Sequence, residues 1–288
     1  KIGNGNFFFA NFLKSFTLLQ FFNLFENILI IYSMDNITIK HQIKKKKHLS
    51  KLLNLIASLD ETLIKFSGDK NDELTIKLKA SLEETLSNTR KINKWLLDLE
   101  GLSGRKYRSL INNLIQKIEK PSYLEIGSWL GSTACSACFK NNLNITCIDN
   151  WSQNFTNKYN PQKEFLKNIK KCLTKKSQFK LISENFRKIN FKKIGKFNIY
   201  LYDGPHHLED HFDAIKVAQP ALNEKYLLII DDWNWDQVRA GTERAINELK
   251  LNIISKLEIR TTIDGSNSLF SGESSDWHQG YCFFVIKK

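Results

Sequence analysis

Two rhythms of apolar residues alternate over the last two thirds of this chain. Short β-branched and aromatic runs are separated by longer stretches that fit helices. The runs are Tyr123-Leu124-Glu125-Ile126, Asn144-Ile145-Thr146-Cys147-Ile148, residues 179–182, Phe197-Asn198-Ile199-Tyr200-Leu201-Tyr202, Tyr226-Leu227-Leu228-Ile229-Ile230, 251–259 and 281–286. Each predicts a strand. Residues 132–142 fit a helix between the first two, and Asp236 is expected to cap a helix running to Lys250. Strands joined through helices pair in parallel, which predicts an α/β fold. Upstream, Leu52, Leu53, Ile56, Leu59, Leu63 and Phe66 follow helical spacing up to the turn Ser67-Gly68-Asp69. A second helix is expected from Asp72 towards Leu99, with Leu74, Leu78, Leu82 and Leu86 four apart. A four-residue repeat drifts around a helix, so a helical hairpin is expected here rather than a coiled coil. Ser103 is expected to cap the helix that carries Leu110, Leu114 and Ile118.

Four of the runs end in acids. Glu125 closes the first and is followed by a glycine-spaced turn, Gly127-Ser128-Trp129-Leu130-Gly131-Ser132. Asp149 closes the second, where an acid in a nucleotide-binding sheet accepts from ribose hydroxyls. Asp203 follows the fourth run and opens Asp203-Gly204-Pro205-His206-His207; Asp231 and Asp232 close the fifth. In parallel sheets these ends share the edge where ligands bind. The turn is no dinucleotide fingerprint, because G-x-G-x-x-G is not present, and no P-loop lysine follows it. Three carboxylates on neighbouring strand ends offer hard oxygen ligands for Mg²⁺, Mn²⁺ or Ca²⁺. Two adjacent aspartates in a cleft repel unless something positive lies between them.

The turn from Glu125 to Ser132 resembles motif I of class I S-adenosylmethionine (SAM) methyltransferases. With Asp203-Gly204-Pro205-His206 and Asp231-Asp232, residues 102–288 resemble the macrocin O-methyltransferase group and, more remotely, the catechol-type metal-dependent O-methyltransferases. The resemblance implies a Rossmann-like methyltransferase fold, a mostly parallel seven-stranded sheet with an antiparallel last strand, preceded by a helical extension. It implies SAM held by Glu125, Gly127, Ser128, Gly131, Ser132, Asp149, Glu184 and Asp203. It also implies a divalent metal, Mg²⁺ by preference, on Asp203, Asp231 and Asp232. Some relatives place a base two residues after the first aspartate. Pro205 stands there and cannot titrate, which makes His206 the candidate base. The expected reaction is O-methylation of a small hydroxylated molecule, a sugar or secondary metabolite. Metal-independent N-methylation of an amine or protein side chain is the alternative enzyme reading, and a SAM-binding protein without catalysis is a third.

The other candidate chemistry is weaker. His207 and His211 are four apart, but the H-E-x-x-H order of a zinc site is missing, so both are read as packing or surface residues. Cys135-x-x-Cys138 has no second pair and reads as small apolar packing; five cysteines without a framework spacing suggest reduced thiols and a cytoplasmic location. Arg105, Lys106 and Arg108 could face a cofactor carboxylate or an acidic substrate. Trp233 and Trp235 could wall the acceptor pocket, and the polar loop 261–280 is long enough for a lid. The net charge of +13 is mostly lysine, read as spread along the chain on solvated faces. No zinc-knuckle, RNP or homeodomain pattern accompanies it, so no nucleic-acid partner is expected.

The expected organisation is an extension at 1–33 that is non-native or disordered, with translation starting at Met34. A helical region at 34–101 would hold a basic arm around Lys44–Lys47 and the hairpin, followed by the methyltransferase domain at 102–288. The apolar stretch 16–32 is interrupted by Asn23, Glu26 and Asn27, so no integral membrane span is expected. The N-terminal helices would pack on the catalytic domain or join two copies into a homo-oligomer.

Overall fold

The computed structural model describes residues 62–288, apart from 154, 156, 157 and 159. The expectations for 1–61 lie outside the described residues. Eight strands form one sheet among them: β1 (Leu63–Gly68), β2 (Ser122–Ile126), β3 (Asn144–Ile148), β4 (Gln178–Ile182), β5 (Phe197–Tyr202), β6 (Leu222–Asp231), β7 (Asn252–Arg260) and β8 (Tyr281–Lys287). Their order is β1-β7-β8-β6-β5-β2-β3-β4. Strands β4, β3, β2, β5 and β6 run parallel, whereas β8 is antiparallel to both β6 and β7. The chain moves outward from β2 through β3 to β4, then returns to β5 on the other side of β2. That reversal is the switch point where open α/β sheets bind ligands. The architecture is the Rossmann-like methyltransferase fold, with the antiparallel last strand the sequence led us to expect.

Seven helices are described: α1 (Glu73–Leu86), α2 (Lys94–Leu97), α3 (Arg105–Lys117), α4 (Ser132–Cys138), α5 (Pro161–Cys172), α6 (Leu208–Ala218) and α7 (Asp236–Glu248). They cover both faces. Odd-numbered residues of the central strands (Tyr123, Ile199, Leu201, Leu227, Ile229) pack with α1, α3, α4 and α5. Even-numbered ones (Leu124, Tyr200, Tyr202, Leu228, Ile230) pack with α6 and α7. This period of two decides which acids meet at the strand ends. No helix of the described residues is long and apolar enough to cross a membrane.

The N-terminal part differs from its expectation. Leu63–Gly68 is an eighth strand, antiparallel to β7 with Ile64 opposite Ile259. Apolar residues at 64 and 66 fit a period of two as well as a helix, and the free edge of β7 favours the strand. The next helix does start at Asp72, whose Oδ1 accepts from Leu74 N–H (3.0 Å) and Thr75 N–H (3.1 Å). It ends at Leu86 because Asn88 turns left-handed (φ 59°); only the short α2 continues towards Leu99. Leu78, Leu82, Leu96 and Leu97 share the core of the α3–α5 side. The helix that Ser103 was expected to cap has Gly104 at its N-cap instead.

Candidate active site

Five strand ends, those of β2 to β6, and the loop before β8 build the cleft. After β2 the chain turns at Gly127 (φ 87°), whose N–H donates to Ile148 O at 2.9 Å. Asp203 N–H donates to Ile126 O at 2.8 Å across the switch point. The two backbones pass so close that a Cβ at 127 would fall inside the Asp203 carbonyl oxygen, so only glycine fits. Asp149, at the end of β3, holds the turn. Its Oδ2 accepts from Ser128 and Trp129 N–H, both at 2.8 Å, and its Oδ1 accepts from Trp151 N–H at 2.7 Å. A carboxylate has about four lone-pair positions, so roughly one remains for a ligand.

Glu125 is buried beneath this turn, with Oε2 accepting from Tyr123 Oη at 2.6 Å. Burial pushes its carboxyl up to about 7, and the Tyr123 hydroxyl offsets only part of that. Among the described residues, Glu125 Oε1, Ser128 Oγ and Trp129 Nε1 are buried around the turn without a hydrogen-bond partner. All three residues line the cleft, as do Ser132, Asp149, Glu184 and Asp203. Unpartnered acceptors and donors beside a close backbone approach fit a polar, cationic nucleoside ligand. Gly131 does not line the cleft. It is left-handed (φ 85°) at the N-cap of α4, and a Cβ there would meet Phe165 Cδ2 at 2.8 Å.

On the other side of the cleft the structure brings Asp203, His206 and Asp232 together, with one ligand atom from each within 4.8 Å of the others. His206 Nε2 is 3.1 Å from Asp232 Oδ2, and its ring meets Trp235 edge-on at 5.1 Å. Asp231 is not in that cluster. The odd-numbered side of β6 turns it away from Asp232, and its Oδ1 accepts from Asp232 N–H at 2.8 Å. In register Tyr202 lies opposite Ile230. Asp203 and Asp231 therefore project side by side on one face, and their carboxyls hydrogen-bond. Burial, then the neighbouring acids, raise both above the carboxylate range; Asp231 reaches about 8. Hard oxygen donors held together with a surplus of acid fit a divalent cation.

His278 was not expected. Its Nε2 lies 3.4 Å from Asp232 Oδ1. Asp232 stays below the usual carboxylate range despite burial, because His278 and His206 stabilise its charge. Both Asp232 (φ 54°) and His278 (φ 45°) are left-handed without being glycine. The only sequence signal was one more scarce histidine inside the long loop 261–280.

Other expectations fall elsewhere. Arg105 pairs with Asp98, and Lys106 with Asp276 at 2.8 Å. Arg108 is buried and caps carbonyls, donating to Leu96 O, Leu97 O and Leu99 O at 2.7–3.1 Å and to Ser103 Oγ at 3.0 Å. None of the three lines the cleft. His211 is buried with neither ring nitrogen partnered among the described residues, and burial pulls it down to about 3. Trp233 is wholly buried and donates to Glu258 Oε1 at 3.0 Å, so it belongs to the core. Cys135 and Cys138 are buried in α4.

Residues 124–233, from β2 to the residues just past β6, match the family model described as a methyltransferase domain. No curated protein matches the sequence. Among solved structures the chain is similar to TrmN from Thermus thermophilus (13% identity over 67% of this chain and 51% of that one, TM-score 0.43). It is also similar to an O-methyltransferase from Bacillus cereus in complex with SAH (13%, 74% and 91%, 0.43). A third is cofactor-bound Rv0187 from MTB (11%, 81% and 96%, 0.45). The chain spans about half the length of the Thermus protein, as it does of a Streptococcus mutans relative (48%).

Proposed function

We propose that this chain is a SAM-dependent methyltransferase that methylates an oxygen of a small hydroxylated acceptor, a sugar or secondary metabolite, with help from a divalent cation. Asp203-Gly204-Pro205-His206 and Asp231-Asp232 favour the macrocin type of that family. The observation that carries the reading is the Asp203–His206–Asp232 cluster, which shares one cleft with the Gly127 turn and Asp149. SAM, when bound, supplies a methyl group on a sulfonium, already electrophilic. The protein's work is therefore to hold the acceptor in line and remove its proton. In this reading Glu125 Oε1 would take the ammonium of the cofactor, Asp149 a ribose hydroxyl and Glu184 the adenosine side. Ser128 and Ser132 line the same wall, and Gly131 serves by shaping the turn. A divalent cation on Asp203 and Asp232, with Asp231 bonded behind Asp203, would lower the acceptor's pKa and orient it.

His206 is the candidate base, oriented by its contact with Asp232. The 4.8 Å cluster supports a second reading in which His206 is a cation ligand. The roles exclude each other at one nitrogen, because a coordinated lone pair cannot take a proton. Turnover of SAM with a metabolite extract should fall more than tenfold on EDTA treatment and return with Mg²⁺ or Mn²⁺. Turnover indifferent to chelation removes the cation. His206→Ala should lose turnover yet keep Mn²⁺ affinity if it is the base; loss of both makes it a ligand.

A further inference from the structure

The loop between β7 and β8 sends one buried side chain to the acid cluster. His278 is held there by its backbone: its N–H donates to Ser275 Oγ at 2.9 Å, and its carbonyl accepts from Thr261 Oγ1 at 3.1 Å. Ring atom Nδ1 accepts from Gly272 N–H at 2.8 Å. That bond occupies the Nδ1 lone pair, so in the neutral ring the proton sits on Nε2. Nε2 faces Asp232 Oδ1 at 3.4 Å, an ion-pair distance outside hydrogen-bond geometry, and Oδ1 is buried without a hydrogen-bond partner among the described residues. A nitrogen that carries a proton has no lone pair to give a cation. Asp232 has its other oxygen on His206 Nε2 and its backbone N–H on Asp231, so among the described residues the His278 ring is the charged partner that Oδ1 faces.

We propose that His278 is a positioning residue. Its Nε2–H, held against Asp232 Oδ1 at ion-pair distance, keeps the carboxylate turned so that Oδ2 faces the cation position, while the ring itself is not a ligand. The inference rests on reading Asp232 as a cation ligand. Groups that orient a ligating carboxylate typically contribute about 10- to 100-fold in metal affinity.

The test is Mn²⁺ calorimetry on the full chain, paired with nitrogen-15 spectra of the imidazoles at pH 8, assigned with His278→Gln. His278→Ala should weaken Mn²⁺ binding at least tenfold. His278→Gln, whose amide N–H can reach the same oxygen, should recover most of it. The wild-type spectrum should show a bare Nδ1 and a protonated Nε2 that Mg²⁺ leaves protonated. A protonated Nδ1, an Nε2 that loses its proton on Mg²⁺ addition, or an alanine variant within twofold of wild type overturns the positioning role. Should the wild type bind no Mn²⁺ at all, the cation reading of the whole site falls, and this role with it; that outcome is separate from a normal wild type with an indifferent variant.

Discussion

Glu125 places a titration inside the cofactor wall. Its ordinary value of 4.5 rises to about 7 in the folded chain because burial penalises the charge. Between those values the folded state keeps a proton that the unfolded state releases. Stability from this group is therefore full below pH 4.5 and declines as pH rises through 7, by on the order of 3 kcal/mol once ionised. Glu125→Gln should raise the thermal midpoint at pH 8 and leave it unchanged at pH 4.5. The same substitution should weaken S-adenosylhomocysteine binding at pH 8, because the ligand's ammonium would offset the buried charge. Calorimetry at the two pH values checks both, and equal midpoints at pH 8 would remove Glu125 as the source. That an acid stands here was legible from the run before Gly127. Its protonation was not, since it depends on burial beneath the Gly127 turn. The same limit hid the different fates of Asp231 and Asp232. Adjacent letters suggest one shared task, but side chains alternate across a strand, and only the left-handed turn at Asp232 brings it beside His206.

Helix α6 follows the loop of Asp203 and His206, and α7 follows the loop of Asp232, so a shift between these two helices would be passed to the loops that carry the acid cluster. Gly241 in α7 lies against α6: a Cβ there would run into Leu208 O and stand 3.0 Å from His211 Cβ. Alanine at a free helix position would gain about 1 kcal/mol over glycine. Here the obstacle is a backbone carbonyl, which cannot rotate aside, and overpacking costs about 1–3 kcal/mol. Gly241→Ala should therefore lower stability in a denaturant titration and reduce turnover, by moving His206 off Asp232. A stabilised variant would show that the helices are free to part. The helix pattern and strand endings were readable from apolar periodicity. Glycine 241 and His278 were not, because a close helix approach and a loop reaching back over the strand ends leave no local period. The strand at 63–68 was missed for another reason. Its apolar spacing serves a helix equally well, and only the unpaired edge of β7 settles it.

Charge is the property that the whole molecule distributes unevenly. Residues 163–196 hold twelve Lys and Arg against Glu164 and Glu184, so this one segment carries ten of the thirteen net positive charges rather than a share of an even spread. It builds α5, β4 and the turns after them, and all its lysines are exposed. Among the described residues, strand β4 ends the sheet order and pairs only with β3, which leaves a row of its backbone groups open there. The opposite end is occupied by β1. An open edge invites pairing with another copy, and lysines along it oppose that by mutual repulsion. Among the described residues Lys175, Lys176 and Lys180 have no acidic partner within 4.0 Å, so nothing local cancels them. Replacing these three by glutamine should therefore increase light scattering on mild heating in dilute buffer. The thermal midpoint should move by no more than about 2 °C, since exposed substitutions rarely exceed about 0.5 kcal/mol. Salt is the internal control. At 1 M the screening length falls to about 3 Å, and the wild type should then scatter as the variant does. A variant that stays as dispersed as wild type at low salt would show that the strand's short length, not its charge, guards the edge.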